Sequence, residues 1–488
     1  MNKEIASLEP QILWQHFSTI CEIPRPSVHL EKITRYIMEY GKSLGLETLK
    51  DDAGNVLIRK PATSGMESRR PVILQAHLDM VPQKNALVEH DFETDPIDAY
   101  VDGEWVMARD TTLGADNGIG MSSILAILGS QTLKHGPIEA LFTYDEETGM
   151  YGAVGLKPDL LQGDILLNTD SEEEGDIYMS CAGGVDLDIS FRFKEIPYIA
   201  SEEELAMKLR LTGLKGGHSG VDIHLGRANA NKLMFRFLKY AVQEYEARLA
   251  WVSGGNMRNA IPREAVAIVI IPAEWKDDFV NEVADYEFLY KHEYATIEDA
   301  ISFTAEEVET PKALIPEEIQ DDLINSIVAC QNGVERMIPG VPDVVETSSS
   351  LGIVSAEEEL IEVKILVRST SESRKKALAS SLESTFLLAG AKVEESGGYP
   401  GWEPNLDSPI LKTAIDVHTK VLGIKPEVKI MHAGLECGII GATYPNLDMI
   451  SFGPTIHHPH SPDEKVNIAS VERYWRFLTN LLENIPVR

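Results

Sequence analysis

The chain has 488 residues, of which 44 are Lys or Arg and 77 are Asp or Glu, so its formal net charge is −33 at pH 7. A molecule this negative repels a phosphate backbone and an anionic lipid surface, which argues against nucleic-acid and membrane partners. The length exceeds what one hydrophobic core holds, and a content of 43% hydrophobic and 25% charged residues is typical of globular domains.

The N-terminus and the cysteines indicate a cytoplasmic setting. The segment MNKEIASLEPQILWQHF contains no apolar stretch with a small-residue cleavage site, and no apolar run is long enough to cross a bilayer. The cysteines, Cys21, Cys181, Cys330 and Cys437, are scattered and form no CxxC pair, which argues against a disulfide framework and against a thiolate zinc site. We therefore expect a reducing, cytoplasmic environment.

The first part of the chain alternates helical and extended patterns. Segments 11–23 and 29–45 carry apolar residues at helical spacing, whereas NVLIRK, PVILQA, IEALFTY and DILLNT are short runs rich in Val, Ile and Leu. This alternation predicts an α/β layer with a largely parallel sheet.

The middle of the chain shows a different pattern. The extended runs ELAMKLRLTGL, AVAIVIIPA and LIEVKILVRS are each followed by a helical segment, and ETSSSLG is interpreted as a loop. After residue 398 the first pattern returns, ending in the amphipathic segment ASVERYWRFLTNLLENI. We therefore predict an α/β domain made of residues 1–189 and 399–488, with a mostly parallel mixed sheet flanked by helices, and an inserted α+β domain of residues 190–398.

Polar side chains collect where the predicted strands end. They are histidines and carboxylates that follow extended runs or, in one case, open a helix: His77, Asp79, Asp116, Asp145, Glu146, Glu147, Asp170, Glu172, Glu173, Glu174, His457, His458 and His460. Ligands of open α/β sheets gather outside the carboxyl ends of the strands. We therefore expect several of these side chains to lie close together.

Such a group of side chains is typical of a metal site. Imidazole and carboxylate favour zinc, manganese or cobalt, and the lack of neighbouring cysteine excludes a structural thiolate site. One ion needs only three or four protein ligands, so the surplus fits two ions bridged by a carboxylate, which together can ionise a water. Asp79 follows His77 by two positions and is able to fix the tautomer of its ring.

Seven motifs, in this order along the chain, resemble those of one family. They are LQAHLDMV, GADNGIG, YDEETGMYGA, NTDSEE, GLKGGHSGVDIHLGRANA, RNAIPREA and HSPDE. The chain resembles the aminoacyl-histidine dipeptidase branch of the co-catalytic zinc peptidases, a superfamily that also contains aminopeptidases, carboxypeptidases and aminoacylases. The resemblance extends from CEIPRPS to YWRFLTNLLENIP and covers almost the whole chain.

The resemblance implies two Zn²⁺ ions per chain, with Co²⁺ or Mn²⁺ as substitutes. By resemblance, His77 and Asp170 hold one ion and Glu147 and His460 hold the other. Asp116 bridges both ions, and the family tends to have a cis peptide bond after this residue.

The resemblance also assigns roles next to the metals. Glu146 is the implied general base, and Asp79 is implied to orient a metal-binding histidine. The segment TIHHPHSPDE offers three histidines, so His458 remains an alternative to His460 as the last ligand. Asp145 has no assigned role.

The inserted domain is, in the family, a lid that also mediates dimer formation. The resemblance therefore implies a homodimer, and it places His218 of GGHSG at the developing oxyanion, in relatives often from the partner subunit. Asn259 and Arg368 are implied to bind the terminal carboxylate of the substrate, and Gly434 to line its pocket. Such a carboxylate clamp makes an exopeptidase, because a long peptide has no carboxylate at that distance from the scissile bond.

The implied function is metal-dependent hydrolysis of small dipeptide substrates: Xaa-His, other unblocked dipeptides and β-alanyl-histidine. Among hydrolases, the alternative is a deacylase or carboxypeptidase that acts on N-acyl amino acids. A more remote alternative is a metal-binding relative without catalysis. That alternative requires a missing ligand or base, and none is missing from the motifs.

Overall fold

The computed structural model describes residues 2–199, 201–341 and 343–488. The chain forms two compact units: the first comprises Met1–Cys181, Trp402–Ile430 and Leu435–Arg488, and the second comprises Ala182–Gly401 and Met431–Gly434. The sequence-based boundaries were 190 and 398. Ala182 begins the second unit, and residues 183–189 lie in it because they belong to a strand that pairs along its whole length within that unit.

The elements of the first unit up to residue 181 are short strands with helices between them. The helices are α1 (Gln11–Cys21), α2 (Glu31–Ser43), α3 (Ala115–Gly129), α4 (Glu146–Gly149) and α5 (Tyr151–Val154). The strands are β1 (Glu47–Lys50), β2 (Val56–Lys60), β3 (Val72–His77), β4 (Ala99–Asp102), β5 (Trp105–Ala108), β6 (Ile138–Thr143), β7 (Ile165–Asn168) and β8 (Asp176–Cys181).

The second unit contains longer strands. They are β9 (Gly183–Arg192), β10 (Ile196–Pro197), β11 (Glu204–Thr212), β12 (Gly217–His218), β13 (Arg248–Gly254), β14 (Ala260–Ile261), β15 (Ala265–Pro272), β16 (Ser302–Val308), β17 (Ala313–Leu314), β18 (Gly333–Met337), β19 (Val345–Glu357), β20 (Leu360–Ser369) and β21 (Lys392–Tyr399). The helices are α6 (Ala230–Tyr245), α7 (Lys276–Glu293), α8 (Glu317–Ala329) and α9 (Glu372–Leu388).

The last part of the chain returns to the first unit. Its elements are α10 (Pro409–Leu422), β22 (Glu427–Met431), α11 (Glu436–Thr443), β23 (Asp448–Ser451), β24 (Ile456–His457), β25 (Lys465–Asn467) and α12 (Ile468–Asn484). None of the helices in the described part of the chain combines the length and the apolar character needed to cross a bilayer.

The main sheet of the first unit has the strand order β1-β2-β6-β3-β7-β23-β8-β22. Its central strands β6, β3, β7 and β23 run parallel to one another, whereas β2 pairs antiparallel with β6 and β8 pairs antiparallel with β23. The sheet is therefore mixed, with a parallel centre. Every residue of β3, β6 and β7 is buried, which explains why these strands have no polar alternation.

The register of the parallel strands decides where the polar residues meet. His77 at the end of β3 lies opposite Thr143 at the end of β6, and Gln75 lies opposite Asn168 at the end of β7. Ser451 at the end of β23 also lies opposite Asn168. These strands therefore end at one edge of the sheet, and the loops that follow them start close together.

The main sheet of the second unit is antiparallel, in the order β16-β11-β15-β13-β19-β20-β9-β21, with β18 paired to β19. Buried and less buried residues alternate along β9, as expected for a sheet with one face on a core. The expectation of a loop at ETSSSLG is wrong, because these residues lie in β19, hydrogen-bonded between β18 and β20.

Candidate functional site

The predicted metal ligands come from five chain segments of the first unit. His77 is the last residue of β3, and Asp170 follows β7 by two residues. Asp116 is the second residue of α3, Glu147 lies in α4 after β6, and His460 lies between β24 and β25. The segments that carry His77, Glu147 and Asp170 start at the shared edge of the parallel sheet, where β3, β6 and β7 end. Contacts of the Asp116 carboxylate connect the other two segments to them.

Asp116 lies between the two histidines. Its Oδ1 is 3.1 Å from Nε2 of His77, and its Oδ2 is 3.1 Å from Nε2 of His460. Each histidine also has a carboxylate of its own: Asp170 Oδ1 is 3.2 Å from Nε2 of His77, and Glu147 Oε2 is 3.0 Å from Nε2 of His460. The Asp116 carboxylate is therefore shared by the pair His77–Asp170 and the pair His460–Glu147. The peptide bond between Asp116 and Asn117 is cis.

The Asp79 carboxylate holds the ends of β3 and β6 in position. It accepts hydrogen bonds from Nδ1 of His77 at 3.2 Å and from the backbone N–H groups of Glu146 at 2.9 Å and Glu147 at 3.1 Å. The hydroxyl of Ser27 donates a further bond at 2.9 Å. Burial opposes ionisation of Asp79, but its hydrogen bond from His77 and the bonds from Glu146 and Ser27 outweigh burial and lower its pKa.

These bonds determine which ring nitrogen of His77 faces the other carboxylates. An ionised carboxylate only accepts, so Nδ1 of His77 carries the hydrogen that it shares with Asp79. Nε2 then points at oxygen atoms of Asp116 and Asp170. A lone pair facing two carboxylates is favourable only with a cation between them or with a second proton on the ring.

The same atoms fit a pair of divalent cations. Candidate ligand atoms lie within 4.8 Å of one another in three groups: His77 with Asp116 and Asp170, His77 with Glu146 and Glu147, and Asp116 with Glu147 and His460. The groups share members, as expected for two adjoining ions. Oε1 of Glu147 is buried and has no hydrogen-bond partner among the described residues, so it has an unused acceptor position. Nitrogen and oxygen donors of this kind suit zinc, manganese or cobalt.

Negative charge accumulates around this centre. Burial raises the pKa of Glu146 well above its usual value, and burial together with Asp116 and Asp170 raises the pKa of Glu172 to about 9. Hydrogen bonds to two carboxylates raise the pKa of His460 to about 11. Without cations the site therefore retains protons that bound dications would replace.

Asp145, which had no role assigned from the sequence, shapes the turn that carries the two glutamates. Its φ of 54° is left-handed, its Oδ1 accepts the N–H of Val28 at 2.8 Å, and its Oδ2 accepts the hydroxyl of Thr148 at 2.7 Å. The turn into α4 begins at this residue. Adjacent residues of a strand point to opposite faces, so the turn is what lets Glu146 and Glu147 enter one ligand group.

The alternative histidine of the last loop has different neighbours. The ring of His458 packs against the ring of His457, with 6.1 Å between the ring centroids. The ring of His457 in turn packs against Trp105, with 4.8 Å between the centroids. Nε2 of His460 is the ring atom that approaches Asp116 and Glu147.

Sequence reasoning missed two buried glutamates in the first unit. Oε2 of Glu436 accepts hydrogen bonds from Gln75 at 2.6 Å and from Thr143 at 2.7 Å, and burial raises its pKa to about 8. Glu464 accepts backbone N–H groups of the segment before α3. The sequence does contain a signal for Glu436, because an acid inside the apolar run LECGII is expected to be buried. Glu464 is the last residue of HSPDE, a motif in which only the histidine was assigned a role from the sequence.

The predicted oxyanion donor, His218, lies in the second unit with a defined tautomer. Its Nδ1 accepts backbone N–H groups of Gly220 at 3.1 Å and Val221 at 2.9 Å. Burial and the nearby Arg368 lower its pKa to about 4, so the ring is neutral near pH 7. A neutral ring that accepts at Nδ1 carries its hydrogen on Nε2, which is therefore a donor.

Arg368 is buried and only partly paired. Its guanidinium donates to the Tyr399 hydroxyl at 2.8 Å and to the Ser219 hydroxyl at 3.5 Å. Its Nε has no hydrogen-bond partner among the described residues, although the residue is only 5% exposed. A buried N–H without an acceptor fits a carboxylate that arrives from outside.

The other two predicted substrate residues also lie in the second unit. Asn259 is exposed, and its backbone carbonyl accepts the N–H of Ser219, the residue after His218, at 2.9 Å. Gly434 is half-buried and ends the segment that contains His432, whose Nε2 lies 2.8 Å from the Ser348 hydroxyl.

Comparisons with known proteins identify the family of the chain. The model of the family described as peptidase family M20/M25/M40 matches residues 73–484. The cytosol non-specific dipeptidase of Escherichia coli (strain K12) is 48% identical over 485 residues, which cover 99% of this chain and 100% of the relative.

Solved structures show the same similarity. The aminoacylhistidine dipeptidase of Vibrio alginolyticus superposes with a TM-score of 0.92 at 49% identity, covering 100% of this chain and 99% of that one. Aminopeptidase PepT from Bacillus cereus, with a TM-score of 0.57 at 14% identity over 98% of this chain and 99% of its own, shares the fold. The class defined by these matches is that of peptide-bond hydrolases. The chain belongs to peptidase family M20/M25/M40.

The hydrogen bonds of Asp79 predict the effect of Asp79→Asn. An amide has a single acceptor oxygen, so its NH2 group must face either the donors of Oδ1, which are His77 and Glu146, or the N–H of Glu147 at Oδ2. In both orientations the turn that carries the two glutamates should shift. We expect zinc affinity, measured by competition with a chromophoric chelator, to fall roughly 10–100-fold.

Asp51→Asn is the matched control. The Asp51 carboxylate also accepts a backbone N–H, from Asn55 at 2.8 Å, and it is no member of the ligand groups. Equal zinc affinity in the two variants would contradict the role assigned to Asp79.

Proposed function

We propose that this protein is a dipeptidase that requires two divalent metal ions, with zinc as the preferred metal, and hydrolyses unblocked dipeptides. The observation that carries the proposal is the position of Asp116 between His77 and His460, each with a second carboxylate of its own. The full-length relatives are named a cytosol non-specific dipeptidase and an aminoacylhistidine dipeptidase, which supports dipeptides, Xaa-His among them, as the substrate class.

Five residues would hold the metals. His77 and Asp170 would bind one ion, Glu147 and His460 the other, and Asp116 both. Bound ions of this kind lower the pKa of a water and polarise a carbonyl oxygen. Two dications and three ligand carboxylates would together carry a small positive net charge. This charge would stabilise an anionic nucleophile in the site.

Glu146 is the proposed general base. In this role its carboxylate takes a proton from the attacking water and then gives it to the leaving amine. Support comes from its surroundings: Glu147 pairs with His460 at 3.0 Å, whereas an oxygen of Glu146 lies within 4.8 Å of a ring nitrogen of His77, beside the ligand atoms. Its backbone N–H is held by Asp79, so the residue is fixed while its side-chain oxygens remain available.

The second unit is proposed to supply the groups that recognise the substrate. His218 would donate its Nε2–H to the developing oxyanion, and its two backbone donors support this because they fix the tautomer. Arg368 would bind the terminal carboxylate through its unpaired Nε and its neighbouring nitrogen atoms. Asn259 and Gly434 are proposed to complete this substrate site.

We further propose that the second unit is the lid and that it mediates a homodimer. Trp251 is 37% exposed and Met257 is 56% exposed, and large apolar side chains on a surface favour a protein partner. The cytosol is the proposed location, in keeping with the name of the Escherichia coli relative.

A panel of blocked and unblocked dipeptides tests the function. We expect hydrolysis of free dipeptides to stop after chelation and to return when zinc is added. N-acetylated dipeptides and dipeptide amides should show a kcat/KM lower by roughly 100-fold or more, because each lacks a charged end that the site recognises. Faster cleavage of N-acyl amino acids would support a deacylase instead, and a fully metallated protein that cleaves none of them would contradict catalysis.

The roles of the two adjacent glutamates are separable. Glu146→Gln should lower kcat roughly 10²–10⁴-fold while zinc content stays at the wild-type value, because the base is not a ligand. Glu147→Gln should lose zinc at chelator concentrations that the wild type tolerates, because a ligand is removed. The two variants serve as controls for each other, and the reverse pattern would show that the roles are exchanged.

A further inference from the structure

Four consecutive backbone N–H groups converge on one buried carboxylate. Oε2 of Glu464 accepts the N–H of Leu113 at 2.8 Å and that of Gly114 at 2.9 Å, and Oε1 accepts the N–H of Ala115 at 2.7 Å and that of Asp116 at 3.3 Å. Glu464 is 2% exposed. Gly114 has a left-handed φ of 70°, which turns successive N–H groups toward one side of the chain.

The opposite side of this segment is held as well. The guanidinium of Arg25 donates to the carbonyl oxygen of Gly114 and to those of Leu78 and Asp79, the two residues after His77. Arg25 is 2% exposed. The segment therefore accepts hydrogen bonds from a buried guanidinium on one side and donates to a buried carboxyl group on the other, and neither contact involves a metal.

Glu464 belongs to the same loop as His460. This loop lies between β24 and β25, and β25 pairs antiparallel with both β24 and β5, which anchors Glu464 one residue before the strand. The four bonds thus fix the backbone of Asp116 relative to the loop that presents His460. Oδ1 of Asp116 is 3.1 Å from Nε2 of His77, and its Oδ2 is 3.1 Å from Nε2 of His460. A shift of the Asp116 backbone would therefore change both of these distances together.

We infer that Glu464 is a positioning residue that places Asp116, the shared carboxylate, before any metal binds. Four hydrogen bonds from consecutive N–H groups to one buried side chain hold a short segment in one conformation, because losing the side chain would leave four buried donors without an acceptor. A ligand that is already in place loses less entropy when the metal arrives, so affinity rises. The inference concerns how the proposed metal centre is built, and it rests on that proposal for the role of Asp116.

Amide hydrogen exchange of the wild-type protein is the first test, and it depends on no variant. The amides of residues 113–116 should exchange about 100-fold or more slowly than in an unstructured peptide, in the zinc-free and in the zinc-loaded protein alike. Protection that appears only after zinc is added would overturn the inference, because the metal and not Glu464 would then order the segment.

Glu464→Gln is the second test, and Glu139→Gln is its matched control. Glu139 is another buried glutamate of the first unit whose carboxylate accepts backbone N–H groups, from Gln162 at 2.7 Å and Gly163 at 2.8 Å, and it belongs to no ligand group. We expect Glu464→Gln to weaken zinc binding roughly 10–100-fold and to speed exchange at 113–116, with Glu464→Asp closer to the wild type. Glu139→Gln should leave both quantities unchanged even where it lowers thermal stability.

The outcomes separate this inference from the function on which it rests. Equal zinc affinity and equal exchange in Glu464→Gln and Glu139→Gln would overturn the positioning role while leaving a metal-dependent dipeptidase intact. Failure of the wild type to bind zinc would instead contradict the proposed function. The exchange protection of residues 113–116 in the zinc-free protein can still be measured in that case, because it does not depend on zinc binding. If Glu464→Gln does not fold, the wild-type exchange measurement alone decides.

Discussion

The hydrogen bonds of the Asp79 carboxylate are the interaction on which the candidate site depends. A single buried group orients the ring of His77 and holds the backbone of Glu146 and Glu147. This is feasible because β3 and β6 are parallel neighbours that end in register, His77 opposite Thr143. Parallel pairing of the central strands is thus what converts scattered sequence motifs into one site.

Five carboxylates near this edge fall into two groups by what they contact. Asp79 and Glu464 accept backbone N–H groups and need no cation. Asp116, Asp170 and Glu147 instead face the Nε2 atoms of the two histidines, whereas Asp79 holds Nδ1 of His77, and one oxygen of Glu147 has no partner among the described residues. The first group builds the frame, and the second leaves negative charge that only protons or cations balance.

Much of this arrangement was predictable from the sequence, because each strand that leads into the site is a short apolar run followed directly by polar residues. The β3 run ends in His77 and the β6 run in the acids from Asp145 onward, so position alone marked them. Glu464, which follows Asp463, and Glu436 were missed because most glutamates of an acidic chain lie on the surface. Only tertiary contacts reveal that each is buried and hydrogen-bonded.

The second unit shows where propensity misleads. ETSSSLG has the composition of a loop, yet Ser348 and Ser349 are buried in β19. Hydrogen bonds satisfy their hydroxyl groups: Ser348 shares one with Nε2 of His432 at 2.8 Å, and Ser349 donates one to the Gln331 carbonyl at 2.8 Å. Sheet pairing and buried partners therefore override a weak local preference, and no periodicity in the sequence signals such partners.

Anomalous diffraction at the zinc absorption edge, from crystals of the zinc-loaded protein, tests the central claim most directly. The account predicts two anomalous peaks per chain, one on the His77 and Asp170 side of the Asp116 carboxylate and one on the Glu147 and His460 side. A single peak, or peaks that Asp116 does not contact, would contradict it.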